Sequence, residues 1–258
     1  MPEEVVEAPT VPVIKELPSL KEKDVLLVHG GWQGHKPKEY TEKIAIFLRE
    51  ARATVTISPS TAVYEDSTFL ASFDLIIQSV TMDKISKAGI KGLLTAIKTG
   101  KTGFAGCHGG MGDAFRENTA YQYMVGGQFV GHPGGHIDYT VKITNPNDNI
   151  TEGLTGFNIN SEQYYMHVDP NIKVLATTEF TGEHDEWIAG ATMPVVWKKY
   201  YGEGRVFYFS VGHDPALFDE ISDAKTILMR GFQWASGSKY EEKEEWLSPM
   251  YPASVVEK

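Results

Sequence analysis

The sequence has very little cysteine: Cys107 is the only one among 258 residues. A single thiol forms no disulfide within the chain, and it excludes a metal cage built from several cysteines. Any metal bound by this chain would therefore be held by histidine and carboxylate side chains, and a divalent ion such as Zn or Mn would suit that donor set.

The sequence also lacks an excess of basic residues and any long apolar run. Its 24 Lys and Arg stand against 34 Asp and Glu, which gives a formal net charge of -10. A field of this sign repels nucleic acid and anionic lipid, so we expect no nucleic-acid partner and no membrane partner. Residues 1–7 are acidic and no run of about 18 apolar residues occurs, which predicts no targeting signal and a cytoplasmic location.

Composition shifts divide the chain into three parts. Residues 1–20 carry four prolines and predict an extended N-terminal arm. Residues 21–238 contain no repeat and no flexible linker, so we expect a single domain. The charged C-terminal tail, residues 239–258, holds Trp246 and other apolar groups, which predicts docking on the protein's own surface or on a sister subunit of a homo-oligomer.

In the first half of the chain, short apolar runs alternate with segments of helical periodicity. The apolar runs predict buried strands at 25–28, 54–57, 73–77 and 102–106. Amphipathic segments predict helices at 40–51 and 85–97. Because strands with continuous apolar runs need helices on both faces, the order predicts an α/β fold with a doubly wound, mostly parallel, flavodoxin-like sheet.

The second half of the chain is richer in strands. Alternating or apolar segments predict them at 137–143, 172–178, 195–197 and 206–211. Residues 224–235 have the pattern of a closing helix. We expect this half to complete the same sheet and to add an antiparallel patch.

Three of the eight histidines follow predicted strands: His29, His108 and His213. Ligands of open α/β sheets bind beyond the carboxyl ends of the strands, and a parallel arrangement brings those ends to one rim. One such histidine would be interpreted as a structural cap. Three together favour a functional site.

The segment 104–113 has the pattern of a nucleophile elbow, in which small residues flank a strained bend between a strand and a helix. Two registers compete. With His108 at the apex, Gly106 and Gly110 are the flanks, whereas with Cys107 at the apex one flank is alanine. The first register fits better, because both flanks then lack a Cβ. Cys107 would then be a small, inert, buried thiol.

Other candidate residues lie in two loops and one polar segment. Trp32, in the glycine-rich loop 30–35, would offer a flat platform for a sugar ring, and a flexible surface loop explains it equally well. The loop 132–136 carries two histidines, of which His132 is a candidate ligand contact. The segment 161–169 contains Glu162, Tyr164 and His167. If it is one strand, Glu162 and Tyr164 share a face and His167 lies on the other.

These motifs resemble the trehalose-utilisation (ThuA-like) family, a branch of the class I glutamine-amidotransferase-like superfamily. The matching stretches are spread over residues 24–236: 25–31, 104–115, 126–133, 162–170, 193–197, 204–208 and 212–213. In that superfamily a cysteine stands at the elbow and a histidine after the last strand is its base. His213 is similar to that base by position. His108 stands where the cysteine would be, as in ThuA-like members, so no thioester can form there.

The resemblance implies catabolism of a carbohydrate, a glucoside or its keto derivative. Our hypothesis is proton transfer on the bound sugar, with His108 and Glu162 as acid and base and His213 as an orienting group. Trp32 and Tyr164 would form a stacking wall. Further substrate contacts would come from His29, His132, His167 and Asp113, the last residue of the elbow segment. The three histidines could also hold a divalent metal that steadies an enolate.

Two alternatives remain open at this point. The first is a sugar-binding or sensing module without catalysis, because the elbow lacks the superfamily's nucleophile. The second is an amidohydrolase that depends on Cys107, which would require the other register of the elbow and a reactive thiol.

Overall fold

The computed structural model describes residues 14–246, so most of the predicted arm and residues 247–258 of the predicted tail lie outside the described residues. The strands are β1 (Asp24–Gly31), β2 (Thr54–Ser58), β3 (Leu75–Thr81), β4 (Gly103–Cys107), β5 (Gly127–Gly131), β6 (His136–Ile143), β7 (Phe157–Glu162), β8 (Tyr165–Val168), β9 (Lys173–Glu179), β10 (Thr192–Tyr201) and β11 (Gly204–Phe209). The helices are α1 (Pro37–Glu50), α2 (Ser67–Ser72), α3 (Lys87–Lys98), α4 (His108–Gly112), α5 (Thr119–Val125), α6 (Leu217–Glu220) and α7 (Ser222–Ser236). Within 14–246, no helix has the length and apolar character needed to cross a membrane.

The main sheet has nine strands in the order β2-β1-β3-β4-β11-β10-β9-β6-β7. The first five are mutually parallel, and the remaining four extend the sheet in antiparallel fashion. Strands β5 and β8 form a separate antiparallel pair. The parallel half has the flavodoxin-like order, so the predicted doubly wound sheet with an antiparallel addition is confirmed.

Both faces of the parallel half are buried, which explains its continuous apolar strands. In β1, Val25 and Leu27 belong to the core shared with α1 and α7, whereas Leu26 and Val28 belong to the core shared with α3. Successive side chains of a strand point to opposite faces, so each residue of the run meets a helix on one side or the other.

Two local features differ from the sequence-based prediction. A short helix, α2, lies between β2 and β3, and the Asp66 carboxylate caps it by accepting from the backbone N–H groups of Thr68 and Phe69. Six residues are too few to show a helical period. The predicted strand 161–169 is two strands in two sheets, because the chain turns at 163–164, where the Gln163 side chain donates to the Thr178 hydroxyl.

The described part of the tail lies against the end of the sheet. Trp246 stacks on Tyr200 with ring centroids 5.0 Å apart, and the Glu244 carboxylate accepts from the Trp234 indole N–H at 2.6 Å. Glu244 also accepts from the ammonium of Lys198 at 2.9 Å. The residues up to 246 are therefore held to the main domain by both apolar and ionic contacts.

A buried ionic network centres on Lys198, whose side chain is fully buried. Its ammonium lies 2.9 Å from a carboxylate oxygen of Asp148 and 2.9 Å from one of Glu244. Lys173 contacts the same oxygen of Asp148 at 2.9 Å. Burial alone would raise the pKa of Asp148, but the two ammonium groups outweigh it and hold that pKa below its ordinary value.

We predict that Asp148→Asn lowers the free energy of unfolding by about 2–4 kcal/mol, because it removes one of the two counter-charges of a buried ammonium. The matched control Glu203→Gln removes an exposed partner of Lys243 and should change the free energy of unfolding by less than about 1 kcal/mol. Guanidinium unfolding monitored by circular dichroism measures both variants. Because the depressed pKa of Asp148 stabilises the fold only while the group is ionised, the difference should shrink as the pH falls below about 4. A cost equal to that of the control would contradict this assignment.

Candidate active site

Four polar side chains meet at the carboxyl edge of the sheet. His35 lies in the 3-10 turn Gln33–His35 after β1, His108 follows β4 and His213 follows β11. The fourth is Glu162, the last residue of β7. The parallel strands bring the histidines to one rim, as expected of an open α/β sheet.

Glu162 reaches this rim because its hairpin leaves the plane of the sheet. In a flat sheet, β7 would lie five strand spacings from β4, or about 24 Å. The structure places a Glu162 carboxylate oxygen 3.0 Å from His108 Nε2. Strand β6 pairs with β9 only through Lys142 and Ile143. The part of the β6–β7 hairpin that precedes Lys142 in β6 is therefore not held to β9 and can fold over the rim.

The backbone at His108 has the strained conformation of an elbow. His108 begins α4 with φ of 48°, in the left-handed region that side chains with a Cβ rarely adopt. A Cβ on Gly106 would lie 2.8 Å from the Gln78 carbonyl oxygen, and one on Gly110 would lie 2.9 Å from the Ser79 Cα. Both flanks therefore need glycine, and the apex is His108 rather than Cys107.

Three imidazoles point at one oxygen of Glu162. Its Oε2 lies 3.0 Å from His108 Nε2, 3.2 Å from His213 Nδ1 and 3.8 Å from His35 Nε2. The other oxygen, Oε1, lies 3.6 Å from His132 Nε2. The donor atoms of His35, His108, His213 and Glu162 all lie within 4.8 Å of one another. Glu162 is only 8% exposed, so these rings dominate its surroundings.

The protonation of His108 follows from its second hydrogen bond. Its Nδ1 lies 2.8 Å from the Ser210 carbonyl oxygen, which only accepts, so Nδ1 carries a proton. If the ring is neutral, Nε2 then carries no proton, and its lone pair faces the carboxylate of Glu162. Two acceptors at 3.0 Å repel each other unless a proton or a metal ion lies between them.

The charges in the cluster are shifted by burial and by one another. Burial lowers the pKa of His108 to about 4, against the opposing effect of Glu162. Burial alone would raise the pKa of Glu162, but the imidazoles close to its carboxylate, His108 above all, outweigh burial and hold that pKa well below its ordinary value. His213 Nδ1 is buried and, among the described residues, has no hydrogen-bond partner of good geometry.

Aromatic rings surround the cluster on two sides. Tyr164 stacks on His108 with centroids 4.0 Å apart, and it is buried. Trp32 meets His35 edge to face at 4.9 Å and is 48% exposed. Tyr164 therefore fixes the ring of His108 from within, and Trp32 is the ring that remains open to a ligand.

Three predicted site residues lie outside the cluster. His29 lies within β1, near Glu42 and Lys38 of α1, on the face opposite the Val28 side chain. Asp113 is buried in a two-pronged salt bridge with Arg116, at 2.6 and 2.7 Å. His167 is exposed on β8, opposite Gln128.

Two histidines of the site were not among the predicted site residues. The sequence of the loop 30–35 predicts a ligand contact at Trp32 and none at His35, yet the 3-10 turn places the ring centroid of His35 4.7 Å from that of His108. His136 opens β6, and its ring centroid lies 4.4 Å from that of His213. The glycine-rich loop after the first strand, in which His35 lies, is the feature of the sequence that could have indicated it as a site residue. No signal in the sequence indicated that β6 would fold over the rim.

The lone cysteine, Cys107, points into the hydrophobic core and not toward the histidine cluster. Cys107 is buried with Ala105 in the core shared with α1 and α7. Burial raises the pKa of its thiol to about 12, so the thiol is protonated at neutral pH. A protonated, buried thiol is a poor nucleophile, which disfavours the cysteine-dependent alternative.

Comparisons with known proteins agree with this architecture. The family model for trehalose utilisation, ThuA, matches residues 24–235. A comparison with curated proteins finds no match.

Solved structures with the same fold include two ThuA-like proteins. One, from Bacteroides uniformis, is 15% identical with a TM-score of 0.68, covering 87% of this chain and 95% of that one. The other, from Parabacteroides merdae, is 17% identical with a TM-score of 0.69, covering 87% and 93%. A cytoplasmic protein from Salmonella typhimurium is 15% identical with a TM-score of 0.57, covering 85% and 100%. At these identities the likeness establishes a shared fold.

We predict that Cys107 of the folded protein resists iodoacetamide near neutral pH, because its thiol is buried and protonated. Mass spectrometry after timed labelling measures the reaction. Protein unfolded in guanidinium chloride is the control and should take up one equivalent within minutes. Rapid stoichiometric labelling of the native protein would contradict the prediction and restore the cysteine-dependent alternative.

Proposed function

This chain belongs to the trehalose-utilisation (ThuA) family, and on that premise we propose that it is an enzyme of carbohydrate catabolism. It acts on a glucoside or a keto-sugar by acid–base chemistry, assisted by a divalent metal at the strand-end cluster. The observation that carries the proposal is the convergence of three imidazole nitrogens on one oxygen of buried Glu162.

The donor set fits a metal ion such as Zn or Mn. In a tetrahedral site with bonds of about 2.0–2.1 Å, neighbouring donor atoms are about 3.3 Å apart. The distances of 3.0, 3.2 and 3.8 Å from Glu162 Oε2 to the three imidazoles bracket that value, and the full set of four donor atoms spans up to 4.8 Å, so a bound ion would draw the imidazoles closer together. The Ser210 carbonyl accepts from the far nitrogen of His108, which is the outer contact that orients a ligating imidazole.

A cation there also answers the electrostatic problem of the cluster. The groups that would hold it include His108 Nε2, the Glu162 carboxylate and His213 Nδ1, which has no hydrogen-bond partner among residues 14–246. When bound, it would supply a Lewis acid that polarises a sugar carbonyl or hydroxyl oxygen. The C–H bond next to such a carbonyl then becomes acidic enough for a side chain to remove its proton.

The residues around the cluster have complementary roles in this proposal. His35, His108, His213 and Glu162 hold the ion, and Trp32 offers an exposed ring face to the sugar. His132 is 40% exposed and 3.6 Å from the second oxygen of Glu162, so it is placed to exchange protons with solvent and substrate. Without a metal, His108 and Glu162 would themselves exchange the proton, oriented by His213.

We predict that the chelator-treated protein binds about one equivalent of Zn or Mn. Glu162→Gln and His35→Ala should each weaken binding at least tenfold, since each removes a ligand, and isothermal titration calorimetry measures the change. The matched control is His167→Ala, an exposed histidine outside the cluster, which should bind as the wild type does. Equal binding by all variants would place the metal elsewhere.

We also predict that metal-loaded protein turns over at least one member of a panel of glucosides and keto-glucosides. His108→Asn should lower kcat at least 100-fold while the melting temperature stays within a few degrees, because asparagine tolerates the left-handed backbone at this position. Product analysis by chromatography measures turnover. Sugar binding without turnover across the panel would overturn the enzymatic proposal in favour of a sensing module.

A further inference from the structure

A polar cleft of about 650 Å³ opens beside the candidate active site. Strand β6 and part of β7 form one wall, and the segment 179–184, which begins at the last residue of β9, forms the other. The side chains that matter most for its chemistry are His136, Asp138, Thr140, Asn160, Glu179 and Glu183. A volume of this size is typical of a small-molecule site.

The cleft exists because two neighbouring strands of the sheet separate. Strand β9 pairs with β6 only at Lys142 and Ile143. Above that point, residues 136–140 of β6 pair with β7 on one side and have no strand partner on the other within residues 14–246. Their free backbone N–H and C=O groups are therefore turned toward the cleft, where they need hydrogen-bonding partners.

The cleft is continuous with the candidate active site. His136 lies directly across the β6–β7 ladder from Glu162, so the two side chains share a face. The His136 ring is also 4.4 Å from His213. Asp138 and Thr140 follow His136 on the same face, so a ligand anchored at the cluster would extend along this row.

The lining suits a polyhydroxylated ligand without negative charge. Its fixed charges are the carboxylates of Asp138, Glu179 and Glu183 against the ammonium of Lys142, which pairs with Glu179 at 3.4 Å. Carboxylates and amides are acceptors and donors for hydroxyl groups, whereas they repel a phosphate or a second carboxylate. The lining has few apolar side chains, so it offers little to the side chains of an extended peptide.

We propose that this cleft is the subsite for the sugar unit that does not react, and that its acidic lining admits neutral units and rejects phosphorylated ones. The proposal rests on the proposed function, because the reacting unit is assigned to the neighbouring cluster. It adds a direction in which the substrate extends and a charge filter on what enters.

Calorimetric titration of metal-loaded protein with matched ligands tests the proposal. The probes are three glucose disaccharides, trehalose, maltose and cellobiose, and the 6-phosphates of trehalose and maltose. We expect at least one neutral disaccharide to bind, and its 6-phosphate to bind at least tenfold more weakly. The double variant Asp138→Asn, Glu183→Gln should narrow that ratio without weakening the neutral ligand by more than threefold.

A blocking variant separates this subsite from the reaction centre. Thr140→Tyr fills the cleft and should weaken the neutral disaccharide at least tenfold, whereas the control Thr56→Tyr, at an exposed threonine of β2, should leave it unchanged. Zinc binding should be the same in both. Failure of zinc binding or turnover in the wild type would count against the proposed function, whereas intact zinc binding with an ineffective block would count against the cleft.

The remaining outcomes are also decisive. Equal affinity for neutral and phosphorylated sugars would overturn the charge filter, and no disaccharide binding to the wild type would overturn the subsite. Binding of uncharged tetrapeptides in place of sugars would instead assign the open edge of β6 to strand pairing. Should Thr140→Tyr fail to fold, two other measurements test whether the disaccharide occupies the cleft. Asn160→Ala should weaken disaccharide binding, and a crystal of the wild type soaked with that disaccharide should show it in the cleft.

Discussion

The candidate site depends on one buried carboxylate that needs positive compensation. Glu162 is held away from water at the rim of the sheet, where an unpaired charge would cost several kcal/mol. The side chains nearest to its Oε2 atom are imidazoles, and a neutral imidazole compensates a negative charge only in part. The nitrogen atoms of His35, His108 and His213 therefore surround that oxygen in a geometry that either a cation or a shared proton would stabilise.

The two halves of the sheet make different contributions to this arrangement. The parallel half delivers histidines to one edge, since every strand ends there before the chain turns into a helix or loop. The antiparallel half delivers the acid, through a hairpin that leaves the plane of the sheet. The same departure separates β6 from β9. The candidate site and the neighbouring cleft are thus two results of the same departure of the hairpin from the sheet.

Local patterns predicted the parts of the structure that local physics determines. Continuous apolar strands and amphipathic helices gave the doubly wound sheet, and the requirement for small flanking residues placed His108 at the elbow. His213 was predicted from its position after a strand, and Glu162 from its residue type within a polar segment rich in aromatic side chains. His35 and His136 were missed because their placement depends on a tight turn and on the fold-over of a hairpin. Neither the turn nor the fold-over follows from periodicity, and the break of the strand at 163–164 depends on a long-range hydrogen bond from Gln163 to Thr178.

Because the β6–β7 hairpin folds over the rim, an ion or ligand bound at the cluster would also hold the hairpin in place. Glu162 and the rim histidines come from segments far apart in the chain, so an unfolded chain has no preassembled place for a shared ion. Whatever occupies the cluster would fasten the hairpin to the parallel half as a removable cross-link. By thermodynamic linkage, saturation of the cluster and resistance to unfolding would then rise and fall together.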